Sequence, residues 1–242
     1  YIRTGDLWSI VPDGALSETH FTIKLSDINL GGIGHTFSHS YTQNMVDGRN
    51  GFSGYYYIPN IRNSYISTRF VYYDDENPNY ARVLDIQRPF FSPVARWAGG
   101  VQISTQKQKA WIYKNDTTRQ FLESKIALQE YWAAWAWQIF KGKSVNNRST
   151  KLIFSGRMMN LNYLERPEER PDLYDYFTNE RFYLAGIGVS GRKYVQQNYV
   201  YRTGTPEDVP VGIAYGAVIG YQIKNNWRWY WGLRHSWGNI YN

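Results

Sequence analysis

The chain has 242 residues, a formal net charge of +7 and no cysteine, so neither a disulfide framework nor a cysteine-based zinc site is available. Its mean hydropathy is −0.56, and its apolar runs are far shorter than the roughly 20 residues that a membrane-spanning helix needs. Lys and Arg residues are scattered between aromatic residues instead of forming a stripe, which argues against a nucleic-acid partner. A helical membrane protein is therefore excluded, and a nucleic-acid-binding protein is disfavoured.

The aromatic content is high, because 22 Tyr and 10 Trp help to bring the aromatic share to 18%. Tyr and Trp collect at membrane–water interfaces, where an apolar ring meets a wet polar edge. The composition therefore indicates a protein that exposes rings to a lipid boundary.

Alternation of apolar and polar residues runs through the chain and predicts strands. In the first of these runs Phe21, Ile23 and Leu25 alternate with Thr22, Lys24 and Ser26. Clusters of Asn, Asp, Gly and Pro separate the runs, as turns would. Counting gives roughly ten to thirteen strands. The predicted segments are residues 17–27, 34–46, 51–61, 64–74, 80–88, 95–109, 119–140 as one strand or two, 149–164, 181–192, 194–203, 213–223 and 227–237.

Residues 122–140 are ambiguous, since their apolar residues also fit helical spacing. The alternation resumes at Trp135, Trp137 and Ile139. We therefore predict a strand for this segment.

The last two runs are each about eleven residues long, which matches a tilted strand that crosses a bilayer. A globular strand is usually nearer five or six residues. We predict that six aromatic residues of these runs face lipid or the membrane interface: Trp227, Trp229, Trp231, Trp237, Tyr215 and Tyr221. The alternative is a soluble β-sandwich or barrel with its aromatic residues in a core. The small residues Gly216, Gly220 and Gly232 on the opposite face would make a poor core.

The predicted fold is an all-β antiparallel transmembrane barrel of the outer-membrane type. In hydrocarbon every backbone N–H and C=O group must be paired within the protein, so strands can span a membrane only as a closed barrel. The acidic, Pro-rich residues 164–181 predict a long extracellular loop, since such barrels have long loops on one side.

Three stretches resemble outer-membrane barrels of Bacteroidota that are related to the Omp85 superfamily. They are "LSDINLGGIGHTFSHSYTQN", "GFSGYYYIPNIRNSYISTRFVYYDD" and "LDIQRPFFSPVARWAGGVQIS", and "YRTGTPEDVPVG" is similar to a later motif of the same group. The resemblance covers nearly the whole chain. It implies a sixteen-stranded barrel, of which this chain holds a part.

The resemblance also implies the domain organisation and the function. Residues 1–13 would end a periplasmic POTRA-like module or linker, and residues 14–242 would form the barrel. The implied role is non-enzymatic, in the insertion of outer-membrane proteins or in protein export, in the outer membrane of a Gram-negative bacterium. The expected partners are outer-membrane lipids and lipopolysaccharide, client outer-membrane proteins and accessory lipoproteins, with no cofactor. A passive channel or transporter for small solutes is the alternative, and an outer-membrane lipid hydrolase is the third hypothesis.

A loop that locks against the barrel wall is a further expectation. The Val-Arg-Gly-Tyr or Val-Arg-Gly-Phe hallmark of Omp85 proteins is absent, but residues 190–194, "SGRKY", keep an Arg and an aromatic ring. By this resemblance, carboxylates in a rigid turn would pair with nearby arginines inside the lumen; the alternative is an ordinary exposed turn. The candidate lock residues are Arg192, Tyr194, Arg202, Glu207 and Asp208.

No metal or catalytic site is predicted. His35 and His39 lie on the same face of a strand but about 13 Å apart along it, too far for one ion. His235 and Ser236 are adjacent and therefore point to opposite faces, and His20 with Ser17 is no better placed for hydrolysis.

The acidic residues of the predicted loop match no calcium-loop spacing. They read instead as a solvated loop that touches lipopolysaccharide through divalent ions. These residues are Glu165, Glu168, Glu169, Asp172 and Asp175.

Overall fold

The fold is seen in a computed structural model, which describes residues 8–77, 79–92, 94–115, 118–142, 149–167, 177–198 and 206–238. Twelve strands occupy most of these ranges. No helix within them has the length and hydropathy of a membrane span. The strands are β1 Ile10–Leu16, β2 His20–Asp27, β3 Thr36–Asn44, β4 Asn50–Ile58, β5 Ser67–Asp74, β6 Tyr80–Arg88, β7 Trp97–Asn115, β8 Thr118–Gln138, β9 Thr150–Glu165, β10 Glu180–Asn198, β11 Pro206–Lys224 and β12 Asn226–Gly238.

The strands form one antiparallel sheet in which each strand pairs with its neighbour in sequence. The order runs from β1 to β12, so these two are the terminal strands over the described residues. The predicted all-β antiparallel class is confirmed, and so is the count of ten to thirteen strands in this chain. The ambiguous segment at residues 122–140 is strand up to Gln138, as predicted.

Several strand boundaries differ from the prediction. Residues 181–192 and 194–203 were expected as two strands, but β10 runs unbroken to Asn198. β1 was not among the predicted strands of the barrel, because residues 1–13 were assigned to the end of a preceding module or linker. β1 has only β2 as a neighbour, and a terminal strand tolerates a proline that cannot donate to the ladder. Part of the segment assigned to a preceding module, Ile10 to Asp13, therefore pairs with β2.

The predicted long loop at residues 164–181 is shorter at both ends. Leu164 and Glu165 still belong to β9, and β10 begins at Glu180. The Asn179 side chain accepts a hydrogen bond from the Tyr163 backbone N–H at 2.8 Å, which ties the two strand ends together. Residues 168–176 lie outside the described part of the chain.

The chain divides into two compact units, which are described separately. Unit 1 comprises Tyr1–Gln87, Val101–Glu130 and Asn160–Asn179, and unit 2 comprises Arg88–Gly100, Tyr131–Met159 and Glu180–Asn242. Among the described residues of either unit, no large side chain is fully buried. The buried positions are Ser38, Gly51, Ser67, Ser104, Leu122 and Ile126 in unit 1, and Ala95, Ala98, Ala136, Val211 and Gly220 in unit 2. Strand pairing, and not a packed apolar interior, therefore holds each unit together.

Two connections of unit 1 have the same local structure, 31 positions apart in sequence. In the β2–β3 connection Asn29 Oδ1 accepts from the Gly34 N–H at 2.7 Å, and in the β4–β5 connection Asn60 Oδ1 accepts from the Tyr65 N–H at 2.8 Å. Each contains a single 3₁₀ turn, Leu30–Gly32 or Ile61–Asn63. Both place three residues at positive φ, glycines 31, 32 and 34 in the first and Arg62, Asn63 and Tyr65 in the second. Both connections lie within the first two of the stretches quoted above.

Candidate membrane-facing surface

The aromatic residues of β11 and β12 share one exposed face. The register pairs Trp227 with Ile223, Trp229 with Tyr221 and Trp231 with Ile219, and directly paired residues point to the same side of a sheet. Trp231 is 76% exposed and Leu233 80%. The structure thus brings together all six predicted interface residues: Trp227, Trp229, Trp231, Trp237, Tyr215 and Tyr221.

Ring contacts within this face run along the surface rather than into a core. The ring of Tyr221 lies 5.3 Å from Trp229 and 6.3 Å from Trp227, and the ring of Tyr215 lies 4.8 Å from His235. The outer sides of the indoles remain open, since Trp227 and Trp229 are each 63% exposed.

The opposite face of β10–β12 is small and polar. Small residues pair across it: Gly188 lies opposite Gly216, and Gly232 lies opposite Val218. A concavity of about 570 Å³ lies along β9–β12, lined by residues that include Gly186, Ser190 and Arg234. Such a face offers few side chains that could pack under another layer.

Unit 1 has the same two-faced construction. Phe21, Ile23 and Leu25 are at least one-third exposed on β2, and their face continues across the register into Tyr41 and Phe52. The reverse face carries a ladder of hydroxyl pairs, which the sequence analysis did not identify: Thr22 with Thr42 at 3.0 Å, Ser26 with Ser38 at 2.8 Å and Ser40 with Ser53 at 2.6 Å.

A row of three paired residues crosses the apolar face of unit 1. His39 pairs with Gly54, and Gly54 pairs with Tyr72. The Tyr72 ring lies over the glycine, and its hydroxyl reaches Nδ1 of His39, two strands away. The hydroxyl of Tyr56 likewise lies 2.5 Å from Nδ1 of His35. The polar atoms on this face are thus paired with each other, and no cluster of three or more metal-ligating residues occurs among the described residues.

Charged side chains border this apolar face at the β5–β6 turn, at the end of β9 and within the longer strands β7 and β8. Arg82 and Asp74 form an ion pair at 2.5 Å, in register with Tyr72 and Phe52 of the apolar face. Further ion pairs within unit 1 extend the border: Lys109–Glu123 at 2.8 Å, Lys107–Glu123 at 3.1 Å and Lys125–Glu165 at 3.3 Å. We call this set, with Asp74 and Arg82, the ionic border.

One of the five acidic residues that were expected in a solvated loop lies among the described residues. Glu165 belongs to β9 and to the ionic border. The other four, Glu168, Glu169, Asp172 and Asp175, lie outside the described residues.

Four of the five candidate lock residues lie on strands. Glu207 and Asp208 pair with Gln197 and Gln196 in the β10–β11 ladder, so the structure places these two carboxylates in a strand and not in the predicted turn. Arg192 and Tyr194 belong to β10. The side chains of these four, and the whole of Arg202, lie outside the described residues.

The candidate hydrolytic pairs are not arranged for nucleophile activation. His235 pairs with Tyr215 on the aromatic face, while Ser236 pairs with Ala214 on the other face. Ser17 Oγ accepts from the backbone N–H of His20 at 2.9 Å, and the His20 ring instead meets Glu76 at 3.0 Å. His20 therefore links the β1–β2 turn to the β5–β6 turn.

The β3–β4 turn carries a further charge pair, Asp47 and Arg49. Arg49 donates from Nε to Asp47 Oδ2 at 2.7 Å, and its backbone N–H also reaches the carboxylate at 3.1 Å. The side-chain hydrogen bond from Arg49 is the main reason why the pKa of Asp47 is lowered. The pair is fully solvated, so it shapes the turn more than it stabilises the fold.

A cationic cavity in unit 2 was not predicted. Arg96, Lys151 and Gln138 line it together with Trp135 and Trp137. The residues come from three separate segments, so no sequence spacing signals their proximity.

Comparison of the chain with models of known protein families, with curated proteins and with solved structures gives no match. The assignment of function therefore depends on the geometry of these surfaces.

Proposed function

We propose that this chain forms part of a transmembrane β-barrel of the outer-membrane type, with a non-enzymatic role in inserting or exporting other proteins. The observation that supports the membrane location is the exposed aromatic face of β11 and β12, on which the exposed fraction is highest at Trp231 and Leu233. A monomeric protein in water rarely exposes an apolar patch of this extent.

The change from apolar to charged side chains along the strands of unit 1 also supports a bilayer as the environment of the apolar face. The apolar face of unit 1 gives way to the ionic border at the β5–β6 turn and at the end of β9. A lipid-facing charge at the bilayer midplane costs about 2–4 kcal/mol and falls to about 0–1 near the interface. Charges are therefore expected where Asp74 and Glu165 lie, at the ends of their strands.

Site-directed labelling tests the membrane assignment, and the absence of native cysteine makes it simple. Single cysteines replace residues 227–237 in turn, each carries a nitroxide, and the protein is refolded into vesicles. Leu233→Cys should be accessible to oxygen, which dissolves in lipid, whereas Arg234→Cys should be accessible to a water-soluble nickel complex. Equal accessibility at these two neighbouring positions would contradict the proposal, as would a monodisperse protein in plain buffer.

The resemblance to Omp85-type barrels supports the insertion or export role. Such a role requires a sheet edge at which the strand of another protein can pair. A sheet edge with unpaired backbone groups templates an incoming strand. Vesicles that contain the protein should accelerate the folding of an unfolded client barrel several-fold over vesicles that contain an unrelated channel. An unchanged rate would refute this role and leave the membrane assignment intact.

A solute channel is the second candidate, and the polar reverse face favours it. Arg228 and Arg234, on the reverse face of β12, would line a lumen that prefers anions. Planar-bilayer conductance with anion preference would support the channel, and Arg234→Gln should weaken that preference.

A further inference from the structure

Charge is distributed very unevenly between the two units. Unit 2 contains fourteen Lys and Arg residues against three Asp and Glu residues. Its segments Arg88–Gly100 and Tyr131–Met159 contain no acidic residue at all and seven cationic ones. A region of this kind attracts anions.

Two of these cations meet at one cavity. It has a volume of about 420 Å³ and lies between the β6–β7 connection, the end of β8 and the start of β9. The Lys151 ammonium donates to the Ala95 carbonyl at 2.8 Å, and the Ala136 N–H donates to the Arg96 carbonyl at 2.7 Å. These two bonds fix the floor of the cavity.

The two cations have no carboxylate partner among the described residues of unit 2. The backbone carbonyl that Lys151 meets neutralises none of its charge. Gln138 also lines the cavity, and its amide nitrogen donates to the backbone carbonyls of Phe140 and Gly142. The lining therefore suits a group that carries negative charge and several acceptor oxygens.

An apolar trough adjoins the cavity and shares Trp135 with it. The trough has a volume of about 560 Å³; small residues such as Ala133, Gly156 and Ala185 form its floor, and Trp97 and Phe154 flank it. The Trp137 ring, which lines the cavity, contacts the Phe154 ring edge-on at 5.0 Å between centroids. A charged recess thus adjoins an open apolar trough, and the two share Trp135.

We propose that this pair of recesses binds one anionic glycerophospholipid, with its phosphodiester between Arg96 and Lys151 and an acyl chain along the trough. This inference rests on the proposed membrane location. Arg96 and Lys151 can each donate to one of the two unesterified oxygens of a phosphodiester. One trough matches one or two chains, which favours a glycerophospholipid over the larger, many-chained lipid A.

The test uses the whole chain in vesicles of phosphatidylcholine that contain a minor fraction of lipid with brominated acyl chains. Bromine quenches nearby indoles, and Trp97, Trp135 and Trp137 border the proposed site. Brominated phosphatidylglycerol should quench at about tenfold lower fraction than brominated phosphatidylcholine. Equal quenching by the two lipids with the wild-type protein overturns the inference without any variant.

Variants then assign the preference to the site. The double variant Arg96→Gln/Lys151→Gln should lose most of the tenfold preference, whereas Arg228→Gln, which removes a charge from the other face of β12 in the same unit, should keep it. Ala185→Phe should block the trough and weaken binding of phosphatidylglycerol while leaving the site's affinity for water-soluble glycerophosphoglycerol unchanged. An unchanged preference in the double variant, or loss of it in Arg228→Gln, overturns the assignment.

Each protein is also scored for insertion, by flotation with the vesicles. Failure of the wild-type protein to insert refutes the proposed function, whereas insertion without a lipid preference refutes only the site. If lipid A displaces phosphatidylglycerol and the reverse exchange fails, the site belongs to lipid A and the proposed occupant is wrong.

Discussion

Gly34 and Tyr65 occupy equivalent positions of two equally built connections, with φ of 75° and 60°. Only glycine adopts this region without cost, and other residues lose roughly 1–2 kcal/mol there. The β2–β3 connection meets the requirement with glycine, while the β4–β5 connection accepts the cost at Arg62, Asn63 and Tyr65. The motif containing glycines 31, 32 and 34 was visible in the sequence, but its structural equivalence to residues 60–66 was not, since no residue type is shared at the strained positions.

The first prediction follows from this geometry. Gly34→Ala should lower the free energy of unfolding by about 1–2 kcal/mol, because the methyl group meets no neighbour but the backbone remains at positive φ. Urea titration in vesicles or detergent measures the change. Gly14→Ala is the control, since its Cβ would lie 3.4 Å from the Thr22 carbonyl at ordinary φ, and it should cost less than Gly34→Ala.

Gly54 gives the second prediction, for a different reason. A Cβ there would lie 2.3 Å from the Ser38 carbonyl and 2.7 Å from the Tyr72 hydroxyl. Gly54→Ala should therefore destabilise the fold by about 1–3 kcal/mol through overpacking. Tyr72→Phe keeps the ring over the glycine and removes only the bond to His39, so it should cost about 0.5–1.5 kcal/mol. Equal losses for the two variants would show that the ring does not cover Gly54.

At the scale of a strand, β12 separates its two faces most clearly. Trp231→Arg should oppose folding into a bilayer by about 2–4 kcal/mol if this position lies near the midplane. Tyr230→Arg places the same charge on the reverse face, where Arg228 and Arg234 already lie, and should cost less than half as much. Folding titrations into phosphatidylcholine vesicles compare the two, and a larger loss for Tyr230→Arg would reverse the assignment of faces.

The β3–β4 turn yields a prediction on pH. Because Arg49 lowers the pKa of Asp47 in the folded protein, the pair favours the folded turn above the ordinary pKa near 3.8. That contribution disappears as the pH falls through the lowered value. Carboxyl resonances recorded against pH should show Asp47 titrating below 3.8, and Arg49→Gln should return it toward 3.8. Arg62→Gln, in another connection, should leave the titration unchanged.

Elements differ in how well periodicity alone predicts them. β6 lies at residues 80–88, as predicted, although Arg82 shares a face with Leu84 and Ile86. β1 was not placed in the sheet, since the short segment around Pro12 and Gly14 has no clear alternation and was assigned to a preceding module by resemblance alone. The cavity around Arg96 and Lys151 could not be foreseen either, since it joins segments about 55 positions apart.

At the scale of the whole molecule, the main physical feature is that the described residues bury few large side chains. Sequence composition anticipates this, because Tyr, Trp and Gly replace the Leu and Ala that usually fill a core. Backbone pairing between consecutive strands supplies most of the order. This backbone pairing contributes a large free energy in hydrocarbon, since an unpaired backbone group there costs several kcal/mol.

A last prediction concerns the exposed apolar face. If Leu233 were packed in a protein core, Leu233→Ala would strongly lower the free energy of unfolding in detergent. Because the face is exposed, we expect a change of less than about 1 kcal/mol in detergent. The same substitution should reduce affinity for vesicles. Thermal unfolding followed by circular dichroism and a vesicle-binding isotherm separate the two effects, and a loss above 2 kcal/mol in detergent would indicate a packed interior.

The hydroxyl ladder on the reverse face of β2–β4 has one more consequence. Each rung joins two short side chains on adjacent strands, so replacing either member removes the hydroxyl partner of the other, while replacing both with alanine removes the requirement. Substitutions at these rungs are therefore tolerated in pairs. Over generations the two members of a rung should change together, and the exposed apolar residues on the opposite face should change one at a time.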